Sequence, residues 1–213
     1  MVNAGPHYPL PLTGAGTTGV GKSLKPITHP LRADIPIFLG AEGPKNVALA
    51  AEVADGWLPI FYSPRLAPMY NEWLDEGFAR AGARRNRATF EISATAQVVI
   101  TDDRSGTYDL MKPYLALYLG GMGTEDTNFH ADLYRRMGYA EVVDDITKLF
   151  RAGRKDEAAA IIPDELVEDT AVVGDTAFVR SQLKVWEQAG VTTVLVAPKS
   201  VQEVYELADL VSP

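Results

Sequence analysis

The sequence predicts an α/β fold with a parallel sheet, on three observations. Four short apolar runs, at residues 35–39, 57–61, 92–101 and 191–197, have strand length; segments of helical pattern follow them; and glycine, proline or aspartate punctuates the junctions. Strands separated by helices are joined by crossovers, which makes neighbouring strands parallel. A barrel of eight such units takes about 250 residues. A chain of 213 residues with four strands and a long helical excursion therefore reads as about half of one.

Each element has its own local reason. Residues 1–34 concentrate glycine and proline (Gly5, Pro6, Pro9, Pro11, Gly14, Gly16, Gly19, Gly21, Pro26, Pro30) and read as an irregular arm. The first strand stops at Gly40, and Pro44 opens a helix that runs to about Ala54 and closes at Asp55-Gly56. After the second strand, Ser63 at N-cap and Pro64 at N1 predict a helix to about Gly82. The third strand is the longest and alternates, with Ala94, Ala96, Val98 and Ile100 on one face. Residues 104–170 read as a helical insertion broken at 120–123, at Gly138 and at Pro163. Asp175 caps a helix to Ala189, Gly190 terminates it, and residues 201–210 form the last helix.

Composition narrows the function. The chain is 46% hydrophobic and 23% charged, with net charge -8, a field that opposes nucleic acid and anionic lipid and favours a small-molecule role. Without cysteine there is no disulfide, thiolate catalysis or cysteine-ligated metal, and His7, His29 and His130 are too scattered for a metal cluster. No apolar run approaches the roughly 18 residues of a membrane span, so the expected location is cytoplasmic.

Two segments could hold phosphate. Residues 16–23, Gly-Thr-Thr-Gly-Val-Gly-Lys-Ser, match the pattern of nucleotide hydrolases formally. That motif needs a buried strand before it and a helix after it. Here Pro9 and Pro11 precede it and Pro26 and Pro30 follow, so the arm reading prevails. The second segment is Gly40-Ala41-Glu42-Gly43-Pro44, where a buried strand runs into two glycines and a helix start. Free N–H groups and the positive end of a helix would then face a ligand at the C-terminal edge of the sheet. An ordinary βα turn has the same pattern.

The run from Gly40 to Trp57, a glycine-ended strand followed by Gly-Pro, alanine-rich turns and Asp-Gly-aromatic, resembles the luciferase-like monooxygenase superfamily, especially members that use the deazaflavin coenzyme F-420. The resemblance continues in Gly120-Gly121-Met122-Gly123, Gly138-Tyr139, Ala152-Gly153-Arg154, the stretch from Ala158 to Glu165 and Gly190-Val191. It implies the C-terminal half of a (β/α)₈ TIM barrel in which coenzyme F-420, or FMN as the alternative, is held by its phosphate. The implied cofactor contacts are Gly40, Ala41, Glu42, Gly43 and Pro44, with Ile60, Phe61, Tyr62 and Ser63 after the next strand, where Tyr62 and Ser63 offer hydroxyl donors. Some relatives place a hydroxyl and a lysine in that second loop; Ile60 and Ser63 stand at about those positions here.

Hydride transfer between coenzyme F-420 and an organic substrate is the implied activity, with an FMN monooxygenase or a non-catalytic cofactor-binding half-barrel as alternatives. The catalytic groups are expected in the other half, so the chain is expected to be a fragment, to pair with that half or to form a homo-oligomer. Trp57, Trp73, Trp186 and His130 read as packing residues, and the acidic pairs at 102–103, 144–145 and 168–169 as solvated faces.

Overall fold

The computed structural model describes residues 2–17, 21–22, 27–29, 31–32, 34–124 and 127–211. The chain divides into two units, Met1–Ile35 and Pro36–Pro213. Among the described residues of the first, Asn3 and Leu10 form an antiparallel bridge closed by two backbone hydrogen bonds of 2.9 and 2.7 Å. Positions 18–20 and 23 of the phosphate-loop match lie outside the described residues, as do Pro26 and Pro30.

In the second unit every strand pairing is parallel. The main sheet has the order β1 (Phe38–Leu39), β2 (Gly56–Trp57), β3 (Glu91–Thr95), β6 (Thr193–Leu195). A two-stranded sheet joins β4 (Gln97–Ile100) to β5 (Ala171–Gly174). The long alternating run at 92–101 is thus one extended stretch with three partners, its first residue Ile92 pairing with Trp57 of β2. Residues 93–95 pair with β6, and beyond Ala96 residues 97–100 pair with β5. The sequence reading missed β5, taking Val172 and Val173 as a lead-in to the next helix. A four-residue apolar run at the end of a helical excursion carries no turn signal of its own.

Helix α1 (Gly43–Val53) buries Val47, Ala48, Ala50 and Ala51. Its small side chains let α2 (Ala67–Phe78) approach so closely that a Cβ on Gly77 would collide with Ala48 and Ala51. The segment after Ser63 is not one helix to Gly82. Pro64–Leu66 make a 3-10 turn, Pro68 restarts the helix in its first turn, and α2 ends at Phe78. Ser63 makes no side-chain cap.

Between β4 and β5 the chain is helical: α3 (Arg104–Ala116), a π-helical turn at Leu117–Gly121, α4 (Phe129–Tyr134), a second at Arg135–Tyr139, then α5 (Ala140–Arg151), α6 (Lys155–Ala160) and α7 (Asp164–Glu168). Gly120 and Gly121 lie against the Phe150 ring, and Gly138 takes a φ of 99° at the bend before α5. Helix α8 (Thr176–Gln188) is capped by the Asp175 carboxylate, which accepts from Phe178 N at 2.8 Å, and α9 (Val201–Val211) follows β6. No helix among the described residues is long and apolar enough to cross a membrane.

The N-terminal end of the sheet is tied by Asp55, which is 4% exposed. Its carboxylate accepts from Ile37 N at 2.8 Å and from Arg84 Nε and Arg85 Nε, each at 2.7 Å. Its backbone N–H donates to Ile37 O and its carbonyl accepts from Glu91 N, so one residue links the starts of three strands. Hydrogen bonds from Arg84 and from the Ile37 amide hold this carboxyl well below the usual carboxylate range.

Candidate cofactor site

The loops after β1 and β2 form the C-terminal end of the sheet, the end at which parallel β/α folds place their ligands. The first loop is fixed from behind. Leu58 N donates to Leu39 O at 2.9 Å, and the buried Trp57 indole donates through Nε1 to Ala41 O, also at 2.9 Å. Trp57 is therefore both a core residue, as its sequence context suggests, and the brace that sets the loop's height.

Glu42 occupies the N-cap of α1 but does not cap it, and no acidic side chain stands in the first turn. The N–H groups of Gly43, Lys45 and Asn46 are left without intrahelical acceptors, and Pro44 has none to satisfy. Gly43 has a φ of +76°, and a Cβ built on it would meet nothing within 4 Å. The backbone here is bent into the left-handed region and faces open space.

That space is a cavity of about 310 Å³ whose walls include Gly43, Lys45, Asn46, Trp73 and Arg136. The Arg136 guanidinium lies 5.9 Å from the centre of the Trp73 ring, and neither Arg136 nor Lys45 is ion-paired among the described residues. Two carboxylates also line the cavity. Asp132 is bound by Arg135 at 2.9 Å, and Glu42 Oε1 lies 3.5 Å from His130 Nδ1. The cavity thus combines a helix N-terminus with two unpaired cations and two carboxylates, of which Asp132 is ion-paired to Arg135 and Glu42 has only the His130 imidazole at 3.5 Å. This arrangement suits an anion.

His130 is set by Asn128, the N-cap of α4. The Asn128 side-chain carbonyl accepts from His130 N and Ala131 N at 3.1 Å, while its amide donates to Tyr118 O and Leu119 O. One side chain so joins the end of the π-helical turn to the start of α4 and directs the imidazole at the loop. The ring packs edge-on against Phe61 and Tyr118, with centroids 5.5 and 4.9 Å away.

The nine residues expected from sequence fall into three groups. Gly40 to Pro44 come together at the start of α1, with Ala41, Glu42 and Gly43 also facing a pocket of about 10 Å³ shared with Phe61, Tyr70 and Trp73. Ile60 and Phe61 line a separate cavity of about 40 Å³ with Thr95, Gln97, Met111 and Tyr114, beneath the insertion. Phe61 is 5% exposed and edge-on to Tyr114, Tyr118 and Tyr134 as well as His130, so it pins the insertion to the sheet. Tyr62 and Ser63 are buried in the core. Tyr62 donates its hydroxyl to Ala189 O at 2.7 Å, and burial raises its phenol to about 12. Its proton is already used, which corrects the expectation that it offers a free donor. Ser63 Oγ is buried with no partner.

Sequence reasoning missed Lys45 and Arg136. Lys45 follows the Gly-Pro step and was legible in principle; Arg136 reaches the cavity from the distant insertion, and no spacing announces it. The pair at 168–169 divides: Glu168 is exposed, with Arg104 at 2.7 Å, whereas Asp169 is drawn inward, binding Arg65 at 2.5 Å and accepting from Tyr139 OH at 2.8 Å. No cluster of three or more metal-ligating side chains occurs among the described residues.

A family model described as luciferase-like monooxygenase matches residues 5–193. A protein of Mycobacterium tuberculosis whose name describes it as a coenzyme F-420-dependent oxidoreductase is 72% identical over 211 residues, covering 99% of this chain and 61% of its own length. The 5,10-methylenetetrahydromethanopterin reductase of Archaeoglobus fulgidus is 28% identical over 166 residues, 76% of this chain and 47% of its own. Among solved structures, the coenzyme F-420-dependent tetrahydromethanopterin reductase of Methanopyrus kandleri matches with a TM-score of 0.65 at 23% identity, over 84% of this chain and 49% of that one. An F-420-dependent secondary alcohol dehydrogenase matches at 0.58 and 12%, over 92% and 56%. These two likenesses show the fold, a parallel α/β sheet of the barrel type. The chain spans about half to three-fifths of the length of these relatives.

Proposed function

The chain belongs to the luciferase-like monooxygenase family, and from that premise we propose that it is the phosphate-anchoring part of a coenzyme F-420-dependent oxidoreductase acting on a small organic molecule. The observation that carries this reading is the uncapped start of α1, where Gly43 turns its backbone toward a cavity flanked by the unpaired cations Lys45 and Arg136. The name of the 72%-identical relative points to the same cofactor.

In this reading the N–H groups of Gly43, Lys45 and Asn46 donate to phosphate oxygens, and the helix dipole adds to the attraction. Arg136 closes the cavity from the insertion, held over Trp73. Trp57 keeps Ala41 from collapsing into the space, and Phe61, Tyr114 and Met111 provide the apolar wall that keeps water from a ring placed over the sheet. When bound, a deazaflavin supplies a carbon centre that accepts or gives a hydride. The chain's own groups bind, orient and exclude water. Cytoplasmic residence is part of the same proposal, to be checked by cell fractionation.

Fluorescence titration of the purified chain with coenzyme F-420, FMN and inorganic phosphate tests the reading. Saturable binding of coenzyme F-420, competed by phosphate and stronger than that of FMN, is the expected result. Tighter binding of FMN would transfer the site to flavin chemistry, and binding of neither would remove α1 from any cofactor role.

A further inference from the structure

Three buried side-chain polar atoms lack a hydrogen-bond partner among the described residues, and two of them flank one carboxylate, that of Glu42. His130 Nδ1 lies 3.5 Å from Glu42 Oε1, close enough for opposite charges to attract but too long for a good hydrogen bond. The Tyr70 hydroxyl lines the small pocket that Glu42 also borders, and burial keeps its proton in place as a donor. Glu42 itself stands at the N-cap of α1 without bonding to it, and it borders the cavity of about 310 Å³ as well.

An ionised carboxylate at that position opposes an anion, because it repels the incoming charge and competes for the same N–H groups. A positive charge on His130 would offset it. The imidazole cannot withdraw, since Asn128 fixes its backbone and the rings of Phe61 and Tyr118 hold it at 5.5 and 4.9 Å. Aromatic rings at such distances also accommodate a cation. The other charges around it are constant near neutral pH. Lys45 and Arg136 are cations, Asp132 is bound by Arg135, and burial holds the phenols of Tyr70, Tyr114 and Tyr134 in the protonated form. An imidazole is the side chain that ordinarily changes charge between about pH 5 and 8.

We propose that His130 is a positioning residue of the cavity, which rests on the reading of α1 as the anion site: protonated, it holds the Glu42 carboxylate away from the α1 N–H groups, so that an anion and a proton are taken up together. The Tyr70 hydroxyl offers the displaced carboxylate a neutral donor. Linkage sets the sign. Binding is weakest above the imidazole range and strengthens as pH falls through it, and by reciprocity a bound anion raises the midpoint of the His130 titration.

Sulfate is the probe, because it stays a dianion across this range whereas inorganic phosphate titrates within it. The sequence contains only three histidines, so imidazole-labelled chain gives a simple NMR spectrum in which His130→Gln identifies the His130 signal. Wild type is titrated with sulfate against chloride of equal ionic strength, while the amides of Gly43, Lys45 and Asn46 report occupancy. Sulfate affinity should rise about fivefold or more from about pH 8 to about pH 5.5, and saturating sulfate should raise the His130 midpoint by about 0.7 pH unit. His130→Gln and Glu42→Gln should bind with little dependence on pH, Glu42→Gln several-fold more tightly than wild type at about pH 8. A His130 midpoint that ignores saturating sulfate, or a pH dependence retained in His130→Gln, would overturn the proposal and leave the anion site standing. Amides that never respond to sulfate would remove the anion site itself.

Discussion

The two ends of the parallel sheet are built on opposite rules. At the N-terminal end, the buried charge of Asp55 meets two guanidinium groups and a backbone amide, and the same residue ties β1, β2 and β3 together. At the C-terminal end, α1 begins without a cap, Lys45 and Arg136 face a cavity unpaired, and the buried polar atoms without partners among the described residues gather nearby. Those atoms are Ser63 Oγ after β2, Tyr70 OH under the loop, and His130 Nδ1 beside Glu42. Polar groups satisfied internally stabilise a fold, whereas groups left open carry a desolvation cost that a ligand can relieve. The difference assigns stability to one end and, on the proposed reading, binding to the other.

The strongest way to break that comparison is to remove the clamp. Asp55→Ala leaves the Ile37 amide without its acceptor and removes the carboxylate that Arg84 and Arg85 share, and is expected to lower Tm by roughly 10 °C, with cofactor affinity per folded molecule unchanged. The effect depends on pH with a definite sign. The folded carboxyl sits below its ordinary value, so its contribution is fully present above about pH 4 and fades as pH falls toward the folded value. Wild type and variant should therefore converge in stability in strong acid, measured by thermal melts from neutral to low pH. A gap that persists there would mean that packing, not charge, holds this end.

At the other end the ranking should reverse. Gly43→Val places a branched side chain at a φ of +76° in open space, a strain of roughly 1–2 kcal/mol, or about 2–8 °C of Tm in a domain of this size. Its effect on coenzyme F-420 binding should be far larger, roughly 100-fold, because the side chain occupies the approach to the helix N-terminus. Arg136→Ala should weaken binding by roughly 10-fold or somewhat more, the worth of a charge-assisted hydrogen bond, and move Tm by no more than about 1 °C. Equal losses of affinity and stability in either variant would erase the distinction between the two ends.

Much of the fold was legible in sequence and little of what holds its first end. The glycine-ended strand, the Pro44 helix start, the Asp175 cap and the alternation along 92–101 all follow from local rules that the structure obeys. Asp55-Gly56 read only as a helix stop, because the arginines that give Asp55 its role lie about 30 residues away. The cavity shows the same limit: the loop from Gly40 to Pro44 was readable, whereas Arg136 and His130 arrive by tertiary contact from the insertion. β5 was hidden because pairing with β4 makes it a strand, and pairing is not a property of four residues. Tyr62 looked like a donor since a sequence shows the hydroxyl but not the Ala189 carbonyl that takes its proton.

The finest discrimination comes from Ser63, fully buried with an unpartnered hydroxyl. An orphaned buried hydroxyl costs about 1–3 kcal/mol relative to a satisfied one, so Ser63→Ala removes a penalty along with a group. If the hydroxyl is spare, the variant is as stable as wild type or melts higher by up to about 12 °C, and coenzyme F-420 binds unchanged. If instead a small rotation lets it reach the bound cofactor, the same variant keeps the gain in stability but loses roughly threefold to tenfold in affinity, about the worth of one neutral hydrogen bond. Stability and affinity then move in opposite directions for one oxygen atom. That result would extend the binding end of the sheet from the α1 loop to the loop after β2; a loss of stability without a change in affinity would place Ser63 with the clamp instead.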